Sequence, residues 1–164
     1  MAGAAKRGEG APAWPTVLAA GAGAGVVAAI AAVGVEIVGH APVPPRTATA
    51  WSAFVAGILG GLLYGVLCRT TRRPVAAFWV LTLAIATVDS VLIATLPLPA
   101  GPGPRTGIPI IGLTVPLRML GALVGVGHFG TRHFPAPYLV VDTAVHYVTA
   151  IVAAICIPWW APRR

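Results

Sequence analysis

The chain has 164 residues, of which 57% are apolar and only 9% are charged, and its formal net charge is +7. Soluble domains carry about one-quarter charged residues, so this composition leaves too little polar surface to cover a fold in water, and lipid must cover it instead. The basic residues are scattered over loops and tails without an interleaved aromatic patch, which argues against nucleic acid as a partner and for membrane lipid.

The first 13 residues, rich in Gly, Ala and Pro, predict a disordered cytoplasmic tail. Lys6 and Arg7 precede an apolar run, as they do in a signal peptide. That run covers 17–39 and no A-x-A-like site follows Val38, whereas a signal h-region has roughly 7–15 residues. We therefore expect an uncleaved membrane anchor.

Four apolar stretches follow one another along the chain, and each is close to the length of about 20 residues that a helix needs to cross a bilayer core. They cover 17–39, 51–68, 75–97 and 138–158. The predicted fold class is all-α, a polytopic transmembrane bundle of four spans. It forms a single domain at 14–160, and a short cytoplasmic tail follows at 161–164.

The segment 107–128 lies between the third and fourth stretches and is also apolar, but it contains Pro109, Pro116 and Arg118. Its helix is expected to begin after Thr114, a candidate N-cap. Arg118 and later polar or small residues recur along one face of that helix. This pattern predicts an extra amphipathic or re-entrant helix on the outer side, with a fifth span as the alternative.

Basic residues in short loops predict the orientation of the spans, because cytoplasmic loops are enriched in Arg and Lys. With four spans and a cytoplasmic N-terminus, seven basic residues lie inside and three outside, Arg118 being left aside; five spans give six against four. The seven are Lys6, Arg7, Arg69, Arg72, Arg73, Arg163 and Arg164, and the three are Arg46, Arg105 and Arg132. We predict a multi-pass protein of a bacterial cell membrane with both termini cytoplasmic.

Glycines recur every fourth residue in several of these helices. Such a strip lets a second helix approach closely. The pairs and triplet are Gly21 and Gly25, then Gly57, Gly61 and Gly65, then Gly121 and Gly125. The second span is therefore expected to be central to the bundle or to form a dimer face, in a homo-oligomer or a larger membrane complex.

Ionisable residues within or beside the spans are the most chemically specific feature. They are Glu36, His40, Asp89, Arg118, His128, Asp142 and His146. A charge at the bilayer centre costs about 3 kcal/mol on insertion scales, so these groups should pair or face the bundle interior. At a rise of roughly 1.5 Å per residue, four alternating spans place the acids together in the outer half.

Several roles remain open for these residues. Asp89, Asp142 and His146 are candidate catalytic acid/base groups, and Asp142 and His146 share a helical face at i, i+4 spacing. Arg118 and Glu36 are candidate substrate-binding groups. The same residues could instead form a buried pair that only fixes how helices dock. Glu36 and His40 lie at the predicted boundary, which favours a solvated interfacial position.

No metal or other cofactor is expected, because His128 and His133 flank a turn without a third ligand at suitable spacing.

The stretches AGILGGLLYGVL, CRTTRRPVAAFWVL and AVHYVTAIVAAICIP resemble an uncharacterised family of small four-span actinobacterial integral membrane proteins. Members of that family have a Gly-rich second span, an Arg-rich cytoplasmic turn and a His in the last span, where His146 falls here. The segment 98–137 departs from the family pattern. The resemblance implies a shape and no activity.

Three functions are compatible with the sequence. The first is a structural or accessory helix bundle, favoured by the glycine strips and by the absence of a catalytic motif. The second is a membrane-embedded enzyme that acts on a lipid or isoprenoid-like substrate by acid/base chemistry, with Arg118 holding an anionic head group. The third is a proton- or ion-coupled carrier that uses the same acids.

Overall fold

Four long helices make up nearly all of the part of the chain that the computed structural model describes, which is residues 10–40, 46–95 and 136–162. They are α1 (Trp14–Gly39), α2 (Arg46–Thr70), α3 (Pro74–Thr95) and α4 (Ala136–Trp160). All four are long and apolar enough to cross a membrane. The predicted all-α class with four spans is confirmed. The segment 107–128, with Arg118, lies outside the described residues.

The helices extend beyond the apolar stretches that predict them. α2 begins at Arg46 rather than near residue 51, and α4 runs from Ala136 to Trp160 rather than over 138–158. Hydropathy marks only the lipid-compatible centre of a helix, whereas backbone hydrogen bonding continues into more polar residues. The first residues of α2, from Arg46 onward, are polar and were expected to lie in a loop. They are instead part of a helix of the bundle.

Each helix runs antiparallel to the next along the chain, so the helix ends form two groups. The end that carries Arg69, Arg72 and Arg73 is called the arginine end. The opposite end carries Glu36, Asp89 and Asp142 and is called the acidic end. α1 packs against α2 and α4, and α3 packs mainly against α4.

The α1–α2 contact depends on glycine at both helix surfaces. A Cβ atom on Gly21 would lie 2.7 Å from the Gly57 carbonyl oxygen, and one on Gly25 would lie 2.5 Å from the Phe54 carbonyl oxygen. Gly61 approaches the Val17 carbonyl in the same way. These backbones are in direct contact, so the glycine strip packs within the chain and makes α2 an inner helix.

The two halves of the bundle have different cores. Toward the arginine end, the largest fully buried side chains are Tyr64, Phe78, Ile157, Val17 and Cys68, with the small Ala161 buried among them. Toward the acidic end, the buried apolar cluster consists of Ala28, Ala32 and Ala53, with the partly buried Val145 and Val152 packed against it. Small side chains bury less apolar area, so helix docking in the acidic half needs other contacts.

Arg69 ties the beginning of the described chain to the arginine end. Its guanidinium lies over the Trp14 ring, 4.1 Å from the ring centroid, and donates hydrogen bonds to the carbonyls of Gly65 at 2.6 Å and Pro12 at 2.9 Å. Pro12 is buried. Residues 10–13, the last four of the predicted tail, therefore pack against the bundle.

We expect Gly57→Ala to destabilise the bundle by about 1–3 kcal/mol, the usual cost of overpacking a tight contact. The added methyl group would meet the backbone of Gly25 at 2.5 Å and of Gly21 at 2.6 Å, and backbone cannot move aside. The free energy of unfolding is measured by denaturant titration in detergent micelles with helical circular dichroism as the signal.

The matched control is Gly34→Ala, also within a membrane helix. A methyl group there has no atom within 4 Å, and Ala favours a helix over Gly by up to about 1 kcal/mol. Equal losses of stability in the two variants would contradict the close backbone packing of α1 and α2.

Candidate functional site

Three ionisable side chains meet between α3 and α4 at the acidic end. The His146 Nε2 atom lies 2.7 Å from Asp89 Oδ2, and its Nδ1 atom lies 3.4 Å from Asp142 Oδ2. His146 Nδ1 is also 2.9 Å from the Asp142 carbonyl oxygen. The imidazole is therefore held between two carboxylates, and we call Asp89, His146 and Asp142 the acid–imidazole cluster.

The helices position these groups by simple spacing. Asp142 and His146 are one turn apart on α4, so their side chains lie over one another. On α3, the buried side chains recur every fourth residue as Phe78, Thr82, Ala86 and Ser90. Asp89 precedes the last of these and so borders the buried face, where it reaches across to α4.

Both ring nitrogens of His146 face oxygen acceptors. A neutral imidazole has only one N–H, whereas an imidazolium has two. The geometry therefore fits either a charged His146 between two carboxylates or a neutral His146 beside a protonated acid. In both states the cluster has a formal charge of about −1. A small negative charge inside a bundle favours a nearby proton or cation.

The cluster is only partly enclosed by the described residues. The exposed fractions of the His146, Asp89 and Asp142 side chains are 27%, 30% and 17%. Ion pairing thus satisfies the groups while one side stays open. This combination permits a docking role and also permits contact with a ligand.

Further hydroxyl groups extend the polar layer. Thr87 of α3 and Tyr147 of α4 are hydrogen-bonded through their hydroxyls at 2.8 Å. Tyr138, one turn before Asp142, lies close to the Asp142 carboxylate and within electrostatic range of Glu36. The Thr87–Tyr147 contact was not predicted from the sequence. The sequence indicates it only by position, because Thr87 lies two residues before Asp89 and Tyr147 directly follows His146.

Glu36 lies at the same end but is held separately. Its side chain accepts a hydrogen bond from the Thr49 hydroxyl of α2, and the residue is only 4% exposed. The expected solvated interfacial position is therefore wrong for Glu36. The glycine contacts draw α2 close to α1, and the early start of α2 at Arg46 places Thr49 over the carboxyl group.

His40 is exposed whereas Glu36 is buried, although the two residues are one helical turn apart. His40 adopts a left-handed conformation with φ 46°, immediately after the last residue of α1. Glu36 and His40 have the same spacing in the sequence as Asp142 and His146. Among the described side chains, however, only Asp142 and His146 form an acid–imidazole contact at that spacing.

Asp89, Asp142 and His146 come together as expected, whereas their position in the outer half of the membrane stays a prediction. Their assignment as catalytic groups stays a prediction. Arg118, His128 and His133 lie outside the described residues. Within 10–40, 46–95 and 136–162, no three His, Cys, Asp or Glu side chains converge on a metal position.

An open groove of about 530 Å³ lies at the arginine end, between α1 and the end of α4. Pro15, Thr16, Ala19, Ala20 and Trp160 line it. It is separated from the acid–imidazole cluster by most of the length of the helices, so the two features belong to different sites.

Comparisons with models of known protein families, with curated proteins and with solved structures give no match to this chain. The resemblance to small actinobacterial membrane proteins stays a prediction, and the function has to be argued from the site.

Proposed function

We propose that this protein is a structural or accessory component of a bacterial cell membrane, in which the acid–imidazole cluster docks α3 onto α4. The supporting observation is the 2.7 Å contact between Asp89 of α3 and His146 of α4. It lies in the half of the bundle whose buried apolar cluster consists of Ala28, Ala32 and Ala53. A polar contact there adds to the packing of small side chains, whereas the other half packs large ones.

The docking role follows from the weak burial of α3. Of the four helices it has the smallest buried share, 22% of its most apolar segment. Near the arginine end, Phe78 holds α3 against Tyr64 at a ring-centroid distance of 5.3 Å. Near the acidic end, Asp89 and Thr87 provide the contacts to α4. Hydrogen bonds between membrane helices contribute about 0.6 kcal/mol on average and up to about 1.7 kcal/mol.

An accessory role implies partners beyond lipid. The glycine faces of α1 and α2 already pack against each other within the chain. A homo-oligomer or larger membrane complex would therefore use the apolar surfaces that face outward, such as Ile85 and Val88 on α3 or Ile155 on α4. Lipid covers the same surfaces when no partner is bound.

A membrane-embedded enzyme is the second candidate, and the geometry of the imidazole favours it. A carboxylate that holds an imidazole nitrogen is the usual support for general acid/base catalysis. Asp89, Asp142 and His146 would transfer protons to or from a lipid or isoprenoid-like substrate, with Arg118 as the candidate partner of its anionic head group. A proton- or ion-coupled carrier would use the same three residues.

Single replacements separate these functions: Asp89→Asn, Asp142→Asn and His146→Gln. Each variant is expressed in cells that lack the natural copy, its assembly is followed by native gel electrophoresis, and restoration of the deletion phenotype is scored. His40→Gln is the matched control, because it makes the same change at an exposed histidine of the same end.

For an accessory protein, we expect every variant that assembles to restore the phenotype about as well as the control. Variants that assemble at normal levels but restore nothing would contradict the accessory role and support an enzyme. Flux that depends on pH in vesicles containing the purified protein, and that is lost in Asp89→Asn, would instead support a carrier.

The proposed orientation places both termini and the arginine end in the cytoplasm. It is supported by Arg69, Arg72 and Arg73 at that end, because basic residues are enriched on the cytoplasmic side. The exposed rings of Trp14, Trp159 and Trp160 support a membrane interface at the same end.

Cysteine labelling tests the orientation in a background where Cys68 and Cys156 are replaced by Ala. We expect a membrane-impermeant maleimide added outside to modify His40→Cys but not Arg72→Cys in intact cells. Both native residues are exposed, at opposite ends, and permeabilised cells control for reactivity. Modification of Arg72→Cys alone in intact cells would reverse the proposed topology.

A further inference from the structure

Glu36 has the most buried carboxyl group among the described residues, at 4% exposed. One carboxyl oxygen, Oε1, accepts the Thr49 hydroxyl hydrogen bond. The other, Oε2, is inaccessible to solvent and has no hydrogen-bond partner in the described part of the chain. Half of the carboxyl group is thus buried without a partner among the described residues.

An ionised carboxylate would be poorly stabilised in these surroundings. Its two oxygens offer about four acceptor positions, and Thr49 fills a single one of them. A buried charge without a counter-charge costs several kcal/mol even after the protein relaxes. The described residues supply no such counter-charge, and a bound ligand of the carboxyl group would remove the cost.

Within 10–40, 46–95 and 136–162, the groups near Glu36 do not supply a positive charge. On α1, His40 is exposed, and on α2, Arg46 is exposed and forms no described ion pair. On α4, Tyr138 interacts electrostatically with Glu36 and also lies near Asp142. Asp142 is acidic and Tyr138 is neutral. His146 is already engaged by Asp89 and Asp142.

The number of oxygen atoms decides which ligand fits. Calcium and magnesium take about six or more oxygen ligands, whereas Glu36 and Thr49 together offer three side-chain oxygens. A proton needs a single oxygen. We infer that Glu36 is a proton-binding carboxyl inside the bundle, with Oε2 as the proton-bearing atom and Thr49 as the donor that orients Oε1.

The step is a reversible acid dissociation in which the O–H bond at Oε2 breaks, its electron pair stays on the carboxylate, and a water molecule of the solvent takes up the proton. The site is separate from the acid–imidazole cluster, because it joins α1 to α2 instead of α3 to α4. It does not depend on the accessory role proposed above.

Dicyclohexylcarbodiimide tests the inference on the full-length protein in detergent or lipid nanodiscs. The reagent is apolar and reacts with a protonated carboxyl in an apolar site: the carboxyl O–H adds across a C=N bond, and the resulting O-acylisourea rearranges to a stable N-acylurea. We expect mass spectrometry to find the adduct on Glu36, decreasing as the pH is raised and absent in Glu36→Gln. Labelling of Glu36 should persist in Asp89→Asn, even if the docking role of Asp89 proves wrong.

Two further measurements keep the inference falsifiable if the reagent cannot reach the site. The infrared spectrum of the protein should contain a C=O stretch of a protonated carboxyl that shifts in D₂O and disappears in Glu36→Gln. Absence of that band at every pH at which the protein stays folded would overturn the inference. Protection of Glu36 from labelling by sodium, compared with choline at equal ionic strength and pH, would also overturn it, because it would assign the carboxyl to a metal cation.

Discussion

The contact between Asp89 and His146 joins α3 to α4 at the end of the bundle whose buried apolar cluster consists of alanines. In a bilayer, the transfer of a side chain from lipid to protein gains little from the hydrophobic effect, since both surroundings are apolar. Close packing and polar contacts must therefore hold the helices together. The two kinds of contact occur in different places. Close packing of glycines brings α1 and α2 together, and the polar contacts of the acid–imidazole cluster lie between α3 and α4.

The same division explains why charged groups are tolerated inside so apolar a chain. Each acid of the acidic end lies at a helix–helix contact, Glu36 between α1 and α2, and Asp89 and Asp142 between α3 and α4. None of the three faces lipid without a polar neighbour. Under the proposed docking role, the polar layer serves as structure first, and any proton chemistry would use groups that the fold already holds in place.

Much of the fold could be predicted from the sequence, because long apolar runs and the rise of a helix fix both the spans and the depth of each residue. The predicted depths were enough to expect Asp89 and His146 near each other. They were not enough to predict the burial of Glu36, because its exposure depends on how α2 is rotated and where α2 begins. The residues before Trp51 are too polar to be recognised as part of a span, so Thr49 could not be anticipated as the partner of Glu36.

A double-mutant cycle between Asp89 and His146 tests the docking role most directly. Asp89→Asn, His146→Gln and the double variant are unfolded in bicelles, and the coupling free energy is compared with that of Thr87→Val and Tyr147→Phe, the neighbouring hydrogen-bonded pair. We predict a coupling of about 1.7 kcal/mol for Asp89 and His146 and about 0.6 kcal/mol for the hydroxyl pair, the upper and average values for membrane helices. Effects of Asp89→Asn and His146→Gln that add within about 0.3 kcal/mol would show independent residues and contradict the account.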